Sequence, residues 1–285
     1  MRLRARHLLF VAVLPAACSA FSTTNDAPAM VGPEVEASTG GEASAPDVDG
    51  APADAPVPRC AQMHDFCASF DDVVQPDQGW SFRDVSGGGS LQLTTEHAPP
   101  SAPNALVAKI FSATQVERAW LYVSSPAWPR GAGNVQRPVH ISLSVFPETV
   151  GQGFGFVARH LLGGRTGIED QITLALFRQD AGTDIEIYAV EFLFDADGSP
   201  LFPRGIATGL HVPLGAWSTV VLDVSERSSS SHGTINVAVG ANKFNADLIS
   251  TQTRNDLDIA IGLGTIGATT SWGVDIDDVV ADWTR

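Results

Sequence analysis

Six stretches of this chain alternate apolar and polar residues with a period of two: Pro138–Val145, Gln171–Phe177, Asp184–Ala189, Trp217–Val224, Thr234–Val239 and Leu257–Leu263. Each is bounded by Gly, Pro, Asn or Asp, and no long run has helical spacing, so the pattern is that of half-buried strands between turns. In the first of them Val139, Ile141, Leu143 and Val145 share one face, leaving His140, Ser142 and Ser144 on the other. About a dozen strands at such short spacing predict an all-β chain in which two antiparallel sheets pack face to face. Asp180–Thr183 reads as a hairpin turn between two of the runs, and Gly87–Gly89 as a turn that leads into a strand rather than a phosphate-binding helix.

The pattern does not cover the whole chain. Arg2, Arg4 and Arg6 precede the short apolar run Leu8–Leu14 and then small residues, as in a secretory signal; seven apolar residues fall far short of the about 20 that span a bilayer. Leu14–Cys18 resembles a bacterial lipobox, in which the cysteine is lipidated, with Pro15 where that pattern has its leucine. The other reading is plain secretion with cleavage after Ala20. Residues 1–18 are thus read as the leader and 19–59 as a disordered tether, because Ser22–Arg59 holds Ala, Pro, Gly, Ser, Thr and acids without one aromatic residue or lysine. Such a stretch buries too little apolar surface to offset its conformational entropy. Residues 60–285 are the folded domain, and 44% hydrophobic residues overall suffice for one large core there. The expected address is an outer membrane or cell surface, by lipid anchor, or else a soluble periplasmic or secreted protein.

Three cysteines are an odd number for an exported chain. Lipid on Cys18 leaves Cys60 and Cys67 as a disulfide pair in an oxidising compartment. The 17 basic residues stand against 32 acids, a net charge of -15, so there is no footprint for nucleic acid, and membrane contact is expected through the N-terminal lipid only.

Gly215–Val224, followed by Gly233–Gly240, is similar to the strand pair "G-x-W-x-x-V-x-L-x-V" of laminin G-like modules. The opening Phe70, Asp71, Asp72, Gly79, Trp80 and the closing Trp272–Val279 resemble the ends of such domains. The chain therefore resembles the concanavalin A-like lectin/glucanase jelly roll from about Cys67 to Trp283. The resemblance implies a two-sheet sandwich whose first strand, Ala68–Val73, lies beside its last, Trp272–Trp283. That pairing would gather Asp71, Asp72, Asp275, Asp277 and Asp278, and several carboxylates together suit a structural Ca²⁺, with Asp71, Asp72, Asp277 and Asp278 as its ligands. The alternative is that strand alternation sends these acids to opposite faces, where they discourage edge pairing. Asp195–Gly198 has part of a calcium-loop pattern and reads as a polar turn.

Laminarinase-type glucanases of this fold carry "E-I-D-x-x-E" on one strand, and Glu186–Glu191 is similar, with Tyr188 in place of the aspartate. The resemblance implies Glu186 as nucleophile and Glu191 as acid/base. In a plain strand, however, those two side chains face opposite ways, so a bulge is required to bring them within the about 5 Å of a retaining mechanism. Trp120 and Tyr122 share a strand face, as do Glu186 and Tyr188, and with His140 they form a candidate platform for sugar. The sequence reading is a non-catalytic, carbohydrate-binding surface module; a divergent glycoside hydrolase and a purely structural protein are its alternatives.

Overall fold

A computed structural model describes residues 59–111, 117–125, 138–151, 153–162, 170–178, 184–193, 203–225, 232–249, 257–265 and 270–284. The leader with Cys18, the tether, the turn at Asp180–Thr183 and the Asp195–Gly198 loop lie outside them. Among the described residues the only helical element is a single turn, Arg59–Ala61. The rest is strand: β1 (Phe66–Ala68), β2 (Phe82–Ser86), β3 (Ser90–Thr94), β4 (Ala105–Ile110), β5 (Glu117–Ser125), β6 (Val139–Thr149), β7 (Gly153–Leu162), β8 (Asp170–Arg178), β9 (Asp184–Leu193), β10 (Arg204–Pro213), β11 (Ser218–Val224), β12 (Thr234–Val239), β13 (Asn242–Asp247), β14 (Leu257–Thr265) and β15 (Trp272–Asp282). All six alternating runs are strands. One eight-stranded sheet has the order β13-β12-β11-β6-β15-β4-β3, with β1 also on β15, and a seven-stranded sheet has the order β10-β9-β8-β7-β14-β5-β2. Every pairing is antiparallel, for example Val220 against Leu143 in β11–β6 and Ala175 against Tyr188 in β8–β9.

Alternation decides which side chains fill the space between the sheets. Val139, Ile141, Leu143 and Val145 of β6 and Ile185, Ile187 and Ala189 of β9 are all buried in one core. Trp272 lies there too, across Gly155, where a Cβ would come within 2.5 Å of the indole ring. A glycine in β7 is what lets that ring lie flat.

The chain ends meet as expected, with a shifted register. Phe66, Cys67 and Ala68 pair with Ala281, Val280 and Val279, so the first strand lies upstream of the expected Ala68–Val73 and places Asp71 and Asp72 beyond it. The Asp65 carboxylate accepts the backbone N–H groups of Trp283 at 2.6 Å and Thr284 at 2.7 Å, and Asp282 in turn accepts from the Asp65 N–H and contacts His64 at 2.9 Å. Cys60 and Cys67 form the expected disulfide, with Cα atoms 5.5 Å apart. Hydrogen bonds thus hold the two termini of the sandwich together, while the disulfide closes a short loop at the N-terminal edge.

Candidate functional site

The outward face of the seven-stranded sheet collects most of the aromatic residues that are not core. Antiparallel register puts directly opposed residues on one face, and here it builds rows across the strands. One row runs Phe82, Tyr122, Ala260, Arg159, Thr173, Val190, and another holds Phe177, Glu186 and His211. Phe82 stacks on Tyr122 at 4.1 Å; Phe154 meets Phe177 at 4.6 Å and Tyr188 at 5.3 Å; Phe156 meets Phe192 at 5.9 Å. This second apolar cluster includes Trp120, Tyr122, Phe156 and Tyr188.

Two irregularities shape it. In β7 the register shifts between Phe156 and Ala158, so that Phe156 and Arg159, three residues apart, both face outward while Val157 and Ala158 turn into the core. In β14 the shift between Ile261 and Gly264 leaves a glycine under Trp120, where a Cβ at Gly264 would stand 2.8 Å from the indole. Trp120 therefore lies against the backbone, and the Arg159 guanidinium sits over it, 4.4 Å from the ring centre and 5.5 Å from that of Phe156. Cation–π contact of this kind fixes a guanidinium without neutralising it. Arg159 Nε is buried without a hydrogen-bond partner, and among the described residues no carboxylate pairs with this cation. Burial lowers its pKa to about 10, which leaves it charged at neutral pH.

Tyr188 is only half-buried, beside the Phe154–Phe177 pair. Burial, and then the charge and hydrogen bond of Glu186, raise its pKa, so the phenol keeps its proton. Glu186 also accepts the Gly209 N–H at 3.3 Å, and His211 stands opposite it on β10. The face thus combines a fixed cation, a protonated phenol held by a carboxylate, a histidine and an apolar floor.

The expected residues are only partly brought together. Trp120, Tyr122 and Tyr188 share this face, but Trp120 is fully buried and Tyr122 nearly so, which makes them floor rather than contact surface. His140 is on the other sheet, 2.6 Å from Asp223, and is not part of the platform. The paired role of Glu186 and Glu191 is corrected. β9 pairs with β8 without a shift from Leu193 to Glu186, so no bulge intervenes and the two carboxylates point to opposite faces. Glu191 is buried on the inward side, where both its oxygens accept the Ile249 N–H and Arg204 lies 3.6 Å away.

The carboxylates at the chain ends are held separately. Asp277 accepts the backbone N–H of Ser101 at 2.9 Å and the Ser101 hydroxyl at 2.8 Å, while Asp71 accepts the Asn104 N–H at 3.2 Å and Asp72 is exposed. Asp278 occupies the bulge of β15 with φ of 50°. Among the described residues no three His, Cys, Asp or Glu side chains are grouped to hold a metal ion. Arg159 escaped the sequence reading because a bulge put it on the face, and no periodicity announces a bulge. A lone arginine within the apolar run Phe154–Leu162 was the one available signal.

No family model matches the chain, and no curated protein matches its sequence. Among solved structures, the endo-β-1,4-glucuronan lyase of the fungus Trichoderma reesei superposes over 78% of this chain and 96% of its own, at 13% identity and a TM-score of 0.56. The cellulose-induced protein Cip1 (71% and 89% covered, 13% identity, TM-score 0.44) and an alginate lyase of Klebsiella pneumoniae (68% and 84%, 8%, 0.47) superpose too loosely to build on. The first of these confirms the two-sheet jelly-roll architecture. It also corrects the expectation of a non-catalytic module: the structure that shares this sandwich over 96% of its own length is that of a lyase.

Proposed function

We propose that this protein is a polysaccharide-cleaving enzyme that acts by β-elimination on a uronate-containing glycan laid across the outward face of the seven-stranded sheet. The observation that carries this reading is Arg159, a cation fixed on an aromatic floor with no acid paired to it among the described residues. Removing the proton next to a uronate carboxyl drives negative charge onto that carboxyl, and a preorganised guanidinium in a poorly hydrated site stabilises the charge where it develops. The C5 proton passes to a base on this face, the electron pair forms the C4–C5 double bond, the C4–O bond breaks, and Tyr188 donates its proton to the departing oxygen. Glu186 holds that phenol in place. The carboxyl, C5 and the departing oxygen all belong to one uronate ring, which binds between Arg159 on β7 and Tyr188 on β9, two strand spacings or about 10 Å apart. Hydrolysis by two facing carboxylates has no counterpart here, since Glu191 faces inward. The overall negative charge opposes an anionic polymer little at long range, because surface charges are screened beyond about 8 Å at physiological salt; at short range the local charge is that of Arg159.

The test is incubation with glucuronan and a panel of other uronate polymers. The unsaturated product is followed by its ultraviolet absorbance and new reducing ends are measured in parallel. Elimination produces both signals together, and Arg159→Ala and Tyr188→Phe should each reduce the rate by about a hundredfold or more. Reducing ends without unsaturation would make the protein a hydrolase, and neither signal on any uronate polymer would end the proposal.

A further inference from the structure

The other sheet carries a recess that the elimination chemistry does not use. In β4 and just past its end, Leu106, Ala108 and Ile110 point into the core, so Val107, Lys109 and Phe111 point outward from the eight-stranded sheet. Register sets Ser90 of β3 and Gly273 of β15 on either side of Lys109, with Gln92 beside Val107. Gly273 has no side chain to fill its place. β6 meets this glycine through an irregularity: Thr149 pairs with Gly273 and Pro147 with Val274, which makes Glu148 the extra residue. Lys109 and Glu148 then bond across the glycine at 2.7 Å, where a Cβ would stand 3.1 Å from Glu148 Oε2. Around this pair opens a cavity of about 310 Å³, lined also by Gln92, Thr94, Glu96 and Phe111.

The groups that reach solvent here are mixed in character and nearly balanced in charge. Lys109 and Glu148 are 37% and 29% exposed, so a bound molecule touches both the ammonium and the carboxylate while the two neutralise each other. Asp275, beneath them, is buried and bonded to His97 at 2.7 Å, which removes it from the contact surface. Gln92 is exposed and adds an amide. At the rim, Phe111 keeps 58% of its surface in water. One wall is rigid: His97 stacks on Phe146 at 4.2 Å, and its carbonyl accepts the Trp217 indole N–H at 2.8 Å.

We propose that this cavity binds a neutral sugar residue, its apolar face on Phe111 and two adjacent hydroxyls on Lys109 and Glu148. A hydroxyl both donates and accepts, so a cation and a carboxylate held side by side satisfy neighbouring hydroxyls together. The C–H face of a pyranose is apolar, and an exposed aromatic ring supplies the surface to match it. Charge selects against the alternatives. A uronate meets Glu148 and Glu96, an aminosugar meets Lys109, and either gains a partner only by breaking the existing ion pair. The volume is at the lower end of ligand pockets, the size for a single residue rather than an enclosed chain. Such a site keeps the protein on the neutral glycan of a mixed matrix while the other sheet meets an acidic polymer, and it stands whether or not the elimination reading does.

Its test is calorimetric titration of the full chain with cellotetraose and laminaritetraose, and in parallel with a glucosamine tetramer and a glucuronate tetramer. At least one neutral tetramer should bind and the glucosamine tetramer should not. Phe111→Ala and Lys109→Met, at exposed and half-exposed positions, should each weaken the neutral tetramer by about tenfold with an unchanged melting temperature, and Phe111→Trp should keep it. Failure of both neutral tetramers to bind, equal binding of the glucosamine tetramer, or the same neutral affinity in Phe111→Ala as in the parent would each overturn the proposal. So would a Phe111→Ala variant that lost glucuronate and neutral tetramers alike. Uronate cleavage by Phe111→Ala should match the parent, and neutral tetramers that bind through Phe111 to a protein that cuts no uronate polymer would sustain this site while ending the elimination reading.

Discussion

Glu186 and Glu191 are close in sequence and chemically alike, yet the sandwich assigns them opposite fates, and exchanging each for glutamine separates stability from turnover. Glu191 is 1% exposed and Arg204, 3.6 Å away, is 37% exposed. Glutamine keeps an acceptor for the Ile249 N–H but turns a charge-assisted hydrogen bond into a neutral one, a loss of about 1 kcal/mol. At 3.6 Å and an effective dielectric constant of about 20, the pair's Coulomb attraction is roughly 4–5 kcal/mol before desolvation is subtracted. Because Arg204 can turn to water, only a fraction of that is lost, and the expected total for Glu191→Gln is about 2 kcal/mol, or about 4–8 °C in melting temperature for a domain of this size. Glu186 is half-buried on the outward face, with a long 3.3 Å bond from Gly209. Its replacement should move stability by no more than about 0.5 kcal/mol while loosening Tyr188 and slowing cleavage. Thermal melts and uronate-cleavage rates on both variants check this. If Glu191→Gln melted like the parent and lost turnover while Glu186→Gln stayed active, the assignment of faces in β9, and with it the proposed site, would be wrong.

Three further outcomes follow from the packing. Burial raises the Asp277 pKa from 3.8 to about 7, against the opposing effect of the Ser101 donors. A carboxyl that stays protonated in the fold but ionises when unfolded stabilises the fold at low pH. Stability should therefore decline between about pH 4 and pH 7, by up to about 4 kcal/mol, and Asp277→Asn should flatten this decline in urea titrations. Calcium that raised the melting temperature of the parent but not of Asp277→Asn would instead put a cation on this carboxylate. Reducing the Cys60–Cys67 bridge releases a loop of about eight residues and should cost about 2.5 kcal/mol by chain entropy, read as a lower urea midpoint. Gly155→Ala drives a methyl group into the Trp272 ring and should destabilise by about 1–3 kcal/mol, and Trp272→Phe in the same chain should relieve part of the loss; strictly additive melts would show that the two do not touch.

Much of the architecture was legible in the chain because a strand's inside and outside differ by one residue. Val139 to Val145 and Ile185 to Ala189 declare which faces are core, and a bilayer of sheets is how such faces become buried together. The disulfide was legible from cysteine number and spacing, and Trp120, Tyr122 and Tyr188 were each assigned to the correct side of their own strands. What alternation cannot express is which strands become neighbours and where a strand gains an extra residue. Tertiary pairing alone set Arg159 over Trp120 through a bulge in β7, sent His140 to the other sheet, and brought His97 onto Asp275 across 178 positions of chain. Glu186 and Glu191 show the same limit from the other side: their motif suggested partnership, and the uninterrupted register of β9 placed a sheet between them. Between bulges local pattern fixes the face of a residue, and only long-range register fixes its company, because the hydrogen bonds that choose one pairing over another link backbones that are remote in sequence.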